Sequence, residues 1–217
     1  MEKSYTKIYT TGATVPLKIR PGHFATNHAH INYYIDVTTL KARTKEAEEV
    51  AQALVGMYLY DTVIDTIVCM EGTEVIGAFL AEELAKGGFL STNAHKSIYV
   101  ISPEFNNNSQ IIFRDNLIPM IRDKHVMILM ASVTTGRTLN KAVESIQYYG
   151  GILQGASAIF SAMDSLDGVP IKSVFGKKDL PDYTYSDYRD CPLCKAGKKI
   201  DALVNTCLLY TSDAADE

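Results

Sequence analysis

The chain has 217 residues, 21 Lys and Arg, 25 Asp and Glu, and a formal net charge of −4 at pH 7. This length predicts one domain, or one domain with an appendage, since roughly 100–200 residues per domain is usual. The mild acidity argues against a nucleic-acid partner. No apolar run approaches the roughly 18 residues that a membrane span needs, and the amino-terminal segment lacks the apolar stretch of a signal peptide. The 4 cysteines are too few for a disulfide scaffold of this size. We therefore expect a cytoplasmic α/β protein with neither a nucleic-acid nor a membrane partner.

Helical and strand-like periodicities alternate along the first half of the chain. Thr44 to Tyr60 places its apolar residues on one helical face, and Asp65 to Met70 is a short apolar run typical of a buried strand. A second helix is predicted from Glu74 to Lys86, and Ser97 to Ser102 is predicted as the next strand. This alternation is typical of an α/β fold with a mostly parallel sheet.

The second half of the chain continues the pattern. Val126 to Ala131 (VMILMA) is the most apolar strand candidate and is predicted to be central in the sheet. The other predicted elements are a loop at Pro103 to Gln110, a short helix at Arg114 to Lys124, a helix at Thr138 to Tyr149, a strand at Ile152 to Ala162 and an edge strand at Ile171 to Phe175. Beyond them, Tyr183, Tyr185 and Tyr188 lie among aspartates and predict an exposed excursion that packs on the sheet or on a partner.

The segment from Cys207 to Glu217 (CLLYTSDAADE) closely resembles the in-frame translation of a transposase-type sequencing adapter. A natural acidic carboxyl terminus is the alternative, which a match over the whole segment disfavours. We expect the native sequence, from an assembled metagenomic read, to stop near Thr206, and we exclude the segment from fold reasoning. Because the segment carries three acidic and no basic residues, most of the net charge of −4 belongs to it.

The most informative stretch is Val126 to Leu139 (VMILMASVTTGRTL), a buried strand followed by a loop of small hydroxylated residues and then a helix. Gly136 allows a tight turn, and successive backbone N–H groups converge at the partially positive amino end of the new helix. The rest of the loop adds hydroxyl donors and a charge that is either used or solvated: Thr134, Thr135, Arg137 and Thr138. The stretch predicts a phosphate site, and an ordinary strand–helix turn capped by threonine is the alternative. It is neither a Walker A loop nor a dinucleotide fingerprint.

Val126 to Thr138 (VMILMASVTTGRT) resembles the phosphoribosyl-pyrophosphate (PRPP) motif of the type I phosphoribosyltransferases. That motif is four apolar residues, two acidic residues, two apolar residues and a T-T-G-x-T phosphate loop. Three other segments resemble the orotate branch of the family: the hood at Leu17 to Asp36, the pyrophosphate loop at Glu71, Gly72 and Thr73, and the mobile catalytic loop at Pro103 to Gln110. The resemblance implies a central, mostly parallel sheet flanked by helices, with a small amino-terminal hood.

The same resemblance implies one domain over residues 1–206, with a hood of about residues 1–40, a core of about 41–176 and a carboxyl-terminal extension of 177–206. It further implies a phosphorylated ribose or nucleotide ligand, phosphoribosyl transfer to orotate with Mg²⁺ as the cofactor of catalysis, and a homodimer. Contact with the base is implied for four hood residues: His23, Phe24, Tyr33 and Tyr34.

The sequence departs from the family pattern at the two acidic positions of the motif, which are Met130 and Ala131 here. In the family those acids accept hydrogen bonds from the ribose hydroxyls. Hydrogen bonds to charged groups contribute about 1.5–3 kcal/mol each, so losing two weakens ribose binding by about a hundredfold or more. The segment at the mobile loop has no Lys or Arg, and Glu71 and Glu74 repel pyrophosphate unless Mg²⁺ intervenes.

Two hypotheses follow from this combination. In one, the chain is a divergent orotate-type phosphoribosyltransferase in which Mg²⁺ and other residues replace the missing acids. In the other, it is a non-catalytic sensor or regulator that binds a phosphorylated ribose or nucleotide. The carboxylates whose positions bear on this choice are Asp164, Asp167 and Glu71. A plain Rossmann-like nucleotide binder is disfavoured because the phosphate loop follows a late central strand rather than the first strand.

Cys191 and Cys194, in the sequence CPLC, have the spacing of half a zinc ribbon or knuckle, whereas a structural zinc site needs four ligands. A redox dithiol and two reduced cysteines on a turn are the alternatives. His23, His28 and His30 cluster in the hood segment, without a carboxylate at matching helical spacing. For these histidines we predict contact with the ligand or a surface position rather than a metal site.

Overall fold

The structure, a computed structural model, describes residues 5–86, 91–94, 96–205 and 208–211. Over these residues the strands are β1 (Thr6–Ile8), β2 (Leu17–Thr26), β3 (His30–Asp36), β4 (Thr66–Cys69), β5 (Tyr99–Ile101), β6 (Glu104–Phe105), β7 (Ile111–Ile112), β8 (His125–Val133), β9 (Ile152–Ser161), β10 (Ser165–Leu166), β11 (Val169–Gly176), β12 (Tyr185–Ser186), β13 (Ala202–Asn205) and β14 (Leu208–Thr211). The helices are α1 (Thr38–Ala42), α2 (Thr44–Val55), α3 (Glu74–Lys86), α4 (Arg137–Tyr148) and α5 (Pro192–Lys195), with a 3-10 turn at Ile118–Met120.

The central sheet has the strand order β10-β11-β9-β8-β4-β5 among the described residues. The strands from β11 to β5 run parallel, and the short β10 is antiparallel to β11. Strand β8 lies in the middle and is almost continuously apolar, because helices cover both of its faces. Met127 and Leu129 pack in the cluster that contains the apolar residues of α2 and α3, whereas Ile128 and Met130 pack with those of α4.

The helices follow from apolar stripes that match the two faces of the sheet. Helix α2 buries Ala47, Val50, Ala51 and Leu54, and α4 buries a stripe that includes Leu139, Ala142 and Ile146. With α2 and α3 on one face and α4 on the other, the turns after β4 and β8 meet at the carboxyl edge of the sheet. That edge is where parallel α/β sheets place their ligands.

A second sheet, the hood, has the strand order β12-β3-β2-β13-β14, with β1 also paired to β2. Strands β2 and β3 form a long antiparallel hairpin, and β13 runs parallel to β2 with Ala202 opposite Phe24. The hood therefore combines the amino-terminal segment with residues from beyond position 184, and the carboxyl-terminal extension is part of the hood sheet.

The predicted α/β class with a mostly parallel central sheet is confirmed. Three local predictions are wrong. Helix α2 ends at Val55 rather than Tyr60, and the predicted helix at Arg114 to Lys124 contains only the 3-10 turn, since Pro119 lacks the N–H that a longer helix needs. The predicted edge strand is β11, which lies between β9 and β10.

The predicted loop at Pro103 to Gln110 contains the two-residue β6 and the turn that joins it to β7. The Asn106 side chain makes the turn, because its Oδ1 accepts hydrogen bonds at 2.9 Å from the backbone N–H groups of Asn108 and Gln110.

The segment that resembles a translated adapter is described only at Leu208–Thr211, where β14 pairs with β13. The remainder of that segment lies outside the described residues, and its non-native origin stays a prediction. No helix within the described parts of the chain combines the length and apolarity required to cross a bilayer.

Candidate ligand-binding site

The predicted phosphate loop joins the end of β8 at Val133 to the start of α4 at Arg137. Gly136 has a φ of 74°, in the left-handed region that favours glycine. An added Cβ at this position would lie 2.7 Å from Leu166 Cδ2, so the backbone conformation favours glycine and the Leu166 side chain would have to move to admit a larger residue.

Helix α4 begins at this loop without a side-chain cap, since its N-cap residue is Gly136. The N–H groups of the first helical turn lack intrahelical acceptors, and the helix dipole adds partial positive charge there. The exposed Arg137 and the half-buried Thr138 add a cation and a hydroxyl at the same end. This arrangement suits an anion such as phosphate.

The loop opens into a cavity of about 430 Å³. Its walls come from four places: the phosphate loop with the end of β8, the turn at Glu71 and Gly72, helix α1 with Lys41, and the hood. The hood contributes the β2–β3 turn (Thr26, Asn27 and His28) and Tyr34 of β3. A cavity of this size between two sheets suits a small organic ligand, since such pockets are usually about 300–1,000 Å³.

Basic groups surround the cavity. Burial, together with the nearby positive charges of Arg137 and Lys141, lowers the pKa of His28. The largely buried Lys41 donates a hydrogen bond from Nζ to the backbone carbonyl of Glu71 at 2.6 Å. The positive charges of Lys41 and Arg137 therefore favour an anionic ligand, whereas the lowered pKa favours a neutral His28.

Glu71 brings a carboxylate to the end of β8. Its φ is 58°. Burial raises the pKa of the Glu71 carboxyl, although the backbone N–H groups of Ser132 and Ala131 and the charge of Lys41 favour the charged form. Asp164 and Asp167 do not line the cavity. Of the three carboxylates that bear on the choice of mechanism, Glu71 is the one at the site.

Met130 and Ala131 are packing residues in this structure. They are 1% and 3% exposed, and Met130 belongs to the apolar cluster between the sheet and α4. Both residues border the cavity at the strand end, but their side chains are hydrocarbon or thioether and offer no carboxylate to a ribose hydroxyl.

The structure separates the other predicted site residues. Tyr34 lines the cavity and Tyr33 does not, while His23 and Phe24 are fully buried and lie away from it. Thr73 is also buried and away from the cavity, with its hydroxyl donating to the carbonyls of Met70 at 2.9 Å and Leu129 at 3.0 Å. Three lining residues that the sequence reasoning missed are Thr26, Lys41 and Val204. They come from separate segments and form no motif, so only the fold brings them together.

Tyr183 is buried and contacts the predicted phosphate loop, so it does not lie in an exposed segment as predicted. It is 4% exposed, and its hydroxyl lies 3.0 Å from Thr134 Oγ1. Burial raises the pKa of Tyr183 to about 12, so its hydroxyl stays protonated at neutral pH. Tyr185 pairs with Ile31 in the hood sheet, and Tyr188 is exposed.

The β6–β7 hairpin, where the resemblance implies a mobile loop, packs against α4 and does not line the cavity. Ser145 Oγ donates to the Ile111 carbonyl at 3.0 Å, and Lys141 Nζ donates to the Ser109 carbonyl at 3.2 Å. At the hairpin base, Arg114 Nε donates to the Glu104 carboxylate at 2.6 Å. The hairpin therefore presents no basic side chain to the cavity.

No protein-family model and no curated protein matches this sequence. Several solved structures are similar in fold. UMP synthase of Leishmania donovani matches with a TM-score of 0.54 and 18% identity over 75% of this chain, which spans only 34% of that protein. A phosphoribosyltransferase from Corynebacterium diphtheriae matches with a TM-score of 0.52 and 14% identity over 73% of this chain and 89% of that chain.

Orotate phosphoribosyltransferase of Mycobacterium tuberculosis, in complex with Fe(III) dicitrate, matches with a TM-score of 0.51 and 15% identity over 76% of this chain and 92% of that chain. At these identities the likeness concerns the fold. The protein thus has the fold of the type I phosphoribosyltransferases, with a mostly parallel central sheet flanked by helices.

Proposed function

We propose that the cavity binds a phosphorylated ribose or nucleotide, with the phosphate at the loop from Thr134 to Thr138. The observation that carries this proposal is the uncapped amino end of α4, reached through a left-handed Gly136 and opening into the cavity. Lys41 and Arg137 supply positive charge at the wall of the cavity. The rest of the cavity accommodates the sugar, and Tyr34 of the hood lines it with an aromatic ring on which a base can stack.

Calorimetric titration with ribose 5-phosphate and with ribose tests this proposal, because the two differ only in the phosphate. The wild type should bind ribose 5-phosphate and not ribose. Thr135→Val/Thr138→Val removes two hydroxyl donors of about 1 kcal/mol each and should weaken ribose 5-phosphate binding by about tenfold or more. Thr44→Val, at the exposed first residue of α2, is the matched control and should leave the affinity unchanged. Equal affinity of the double variant and the wild type would refute the placement of the phosphate.

Met130 and Ala131 offer no carboxylate to a ribose hydroxyl, which favours binding without phosphoribosyl transfer, as in a sensor or regulator. Phosphoribosyl transfer from PRPP to orotate is the second candidate, and Glu71 is the observation in its favour. Its carboxylate reaches the strand end at which the two acids are missing. Mg²⁺ is compatible with a single carboxylate, because it is usually held by one or two carboxylates together with substrate phosphates and water.

Turnover separates the two candidates. The wild-type protein is incubated with PRPP, orotate and Mg²⁺, and pyrophosphate release is measured. The non-catalytic proposal expects no release above the protein-free control, together with retained binding of ribose 5-phosphate. Sustained release that is abolished in Glu71→Gln would overturn it and would assign Glu71 to the transfer reaction.

We further propose a homodimer, as the resemblance to the orotate enzymes implies. Sedimentation equilibrium measures this directly. A protein that stays monomeric at the concentration of the binding assays would refute it.

A further inference from the structure

A second cluster of functional side chains lies in the hood, away from the cavity. It brings together His23 of β2, His30 of β3, and Cys191 and Cys194 at the start and within the short α5. One ligand atom from each of these residues lies within 4.8 Å of all the others. His23 and Cys191 are buried, His30 is half-buried, and Cys194 is exposed. The two histidines supply the pair of ligands that the CPLC sequence lacks.

The spacing of these atoms fits a tetrahedral metal. His23 Nε2 lies 3.1 Å from His30 Nδ1, 3.5 Å from Cys191 Sγ and 3.6 Å from Cys194 Sγ, and His30 Nδ1 lies 3.2 Å from Cys194 Sγ. Zinc bonds of about 2.0–2.1 Å to nitrogen and about 2.3 Å to sulfur, at tetrahedral angles, place such ligand atoms about 3.3–3.8 Å apart. These four distances lie within a few tenths of an ångström of these values, and all of the distances among the ligand atoms are within 4.8 Å.

The surroundings of His23 orient its ring as a ligand. Its Nδ1 lies 2.8 Å from the Lys198 carbonyl, which can only accept, so Nδ1 carries the proton and Nε2 is left with a free lone pair toward the thiols. Metal-binding histidines are usually held in this way through their other nitrogen. Asp201 fixes the backbone at the same point, since its carboxylate accepts from the His23 N–H at 2.8 Å and its own N–H donates to the His23 carbonyl at 2.7 Å.

The turn that carries the cysteines presents both sulfur atoms to one side. The Lys195 N–H donates to the Cys191 carbonyl at 3.1 Å, and the Gly197 N–H donates to the Cys194 carbonyl at 2.9 Å. Gly197 has a φ of 70°, a left-handed conformation that reverses the chain after the second cysteine.

We propose that His23, His30, Cys191 and Cys194 bind one structural Zn²⁺ ion. Two thiolates and two imidazoles in tetrahedral array are a ligand set that zinc favours. Four protein ligands leave no open position for a substrate, so the site is structural rather than catalytic. The ion fastens the carboxyl-terminal extension to the β2–β3 hairpin. The turn of that hairpin, between the two histidines, is a wall of the cavity.

Metal analysis of the purified full-length chain tests the proposal. The protein is expressed with zinc in the medium, without a metal-affinity tag, and its zinc is counted by plasma mass spectrometry. We expect one zinc per chain. His30→Gln and Cys194→Ser should each lower the zinc content at least about tenfold, whereas His125→Gln, outside the cluster, should leave it at the wild-type value.

A measurement on the wild type alone covers the case in which the variants do not fold. Zinc is removed with a chelator under reducing conditions, and Co²⁺ is titrated in. One equivalent of Co²⁺ should give the intense visible absorption of a tetrahedral, thiolate-bound ion, and one equivalent of Zn²⁺ should abolish it. A wild-type protein that contains no zinc and binds neither ion would overturn the proposal. So would iron in place of zinc, or a Cys191–Cys194 disulfide in the protein as purified.

Discussion

Gly136→Ala adds a single methyl group to the predicted phosphate loop and tests its conformation. Gly136 has a φ of 74°, and an added Cβ would lie 2.7 Å from Leu166 Cδ2. Gly168, in the nearby turn between β10 and β11, has a φ of 83°, and an added Cβ there meets none of the described heavy atoms within 4 Å. Gly136→Ala and Gly168→Ala therefore share the cost of a left-handed backbone and differ in the crowding.

The magnitudes follow from these two terms. A left-handed conformation costs an L-residue about 1–2 kcal/mol, so Gly168→Ala should lower the free energy of unfolding by about that amount. Crowding against Leu166 adds about 1–3 kcal/mol, because this side chain has to shift within the β10–β11 turn. Gly136→Ala should therefore lose about 2–5 kcal/mol in total.

Urea unfolding of five proteins checks this: the wild type, the two alanine variants, Leu166→Ala and Gly136→Ala/Leu166→Ala. In the background of Leu166→Ala, the added methyl group at position 136 no longer meets Leu166. In this double-mutant cycle, the double variant should therefore be about 1–3 kcal/mol more stable than the sum of the two single losses predicts. The reasoning fails if Gly136→Ala is no less stable than Gly168→Ala, or if the cycle shows no coupling. In the same samples, Gly136→Ala should bind ribose 5-phosphate at least about tenfold more weakly, since the substitution displaces the backbone N–H groups of the loop.

Three further substitutions test the groups around the cavity and the sheet. Burial raises the pKa of Glu71, so the wild-type protein loses stability as the pH rises and this carboxyl ionises. Glu71→Gln should therefore unfold at a higher urea concentration than the wild type near about pH 8, and at the same concentration near about pH 4. Equal unfolding midpoints at both pH values would contradict this. Tyr183→Phe keeps the ring but loses the hydroxyl 3.0 Å from Thr134 Oγ1, which should lower the free energy of unfolding by about 1 kcal/mol; an unchanged value would show that this hydrogen bond contributes nothing. Partial burial opposes ionisation of Asp65, but hydrogen bonds from the His125 backbone and ring outweigh this effect and lower the pKa of Asp65. The ionised Asp65 therefore stabilises the fold above about pH 3.9, and this contribution is lost on acidification. Asp65→Asn should flatten that acid dependence, and an unaltered acid unfolding curve would refute the assignment.

The elements that build the site could be predicted from local sequence. Helix α3 is predicted and found at Glu74–Lys86, and α4 begins and ends within one residue of its predicted bounds. Apolar residues at helical spacing report which face of a helix is buried, and this information lies within a few turns of chain. The apolar run of β8 likewise predicts a central strand, and the small residues after it predict a tight turn at Gly136, which is left-handed in the structure.

Contacts between distant segments could not be predicted in the same way. Nothing near Phe24 indicates that Ala202 lies opposite it in the hood sheet, yet this pairing places Val204 at the cavity. The proposed zinc ligands show the same limit. The CPLC pair is visible as half a site, but its partners precede it by more than 160 residues and lie on strands whose pairing only the fold determines.

The strand end before the predicted phosphate loop combines both kinds of information. The sequence has Met130 and Ala131 there, where the resemblance implies two acidic residues, and the structure shows that both are buried. The parallel pairing of β4 and β8, with Cys69 opposite Leu129, brings the turn after β4 to the carboxyl end of β8. That turn carries Glu71, and the Ala131 N–H favours the charged form of its carboxylate. A carboxylate is thus present at the end of the neighbouring strand. Burial favours its protonated form, so the wild-type turnover assay and Glu71→Gln together decide whether it serves a ribose.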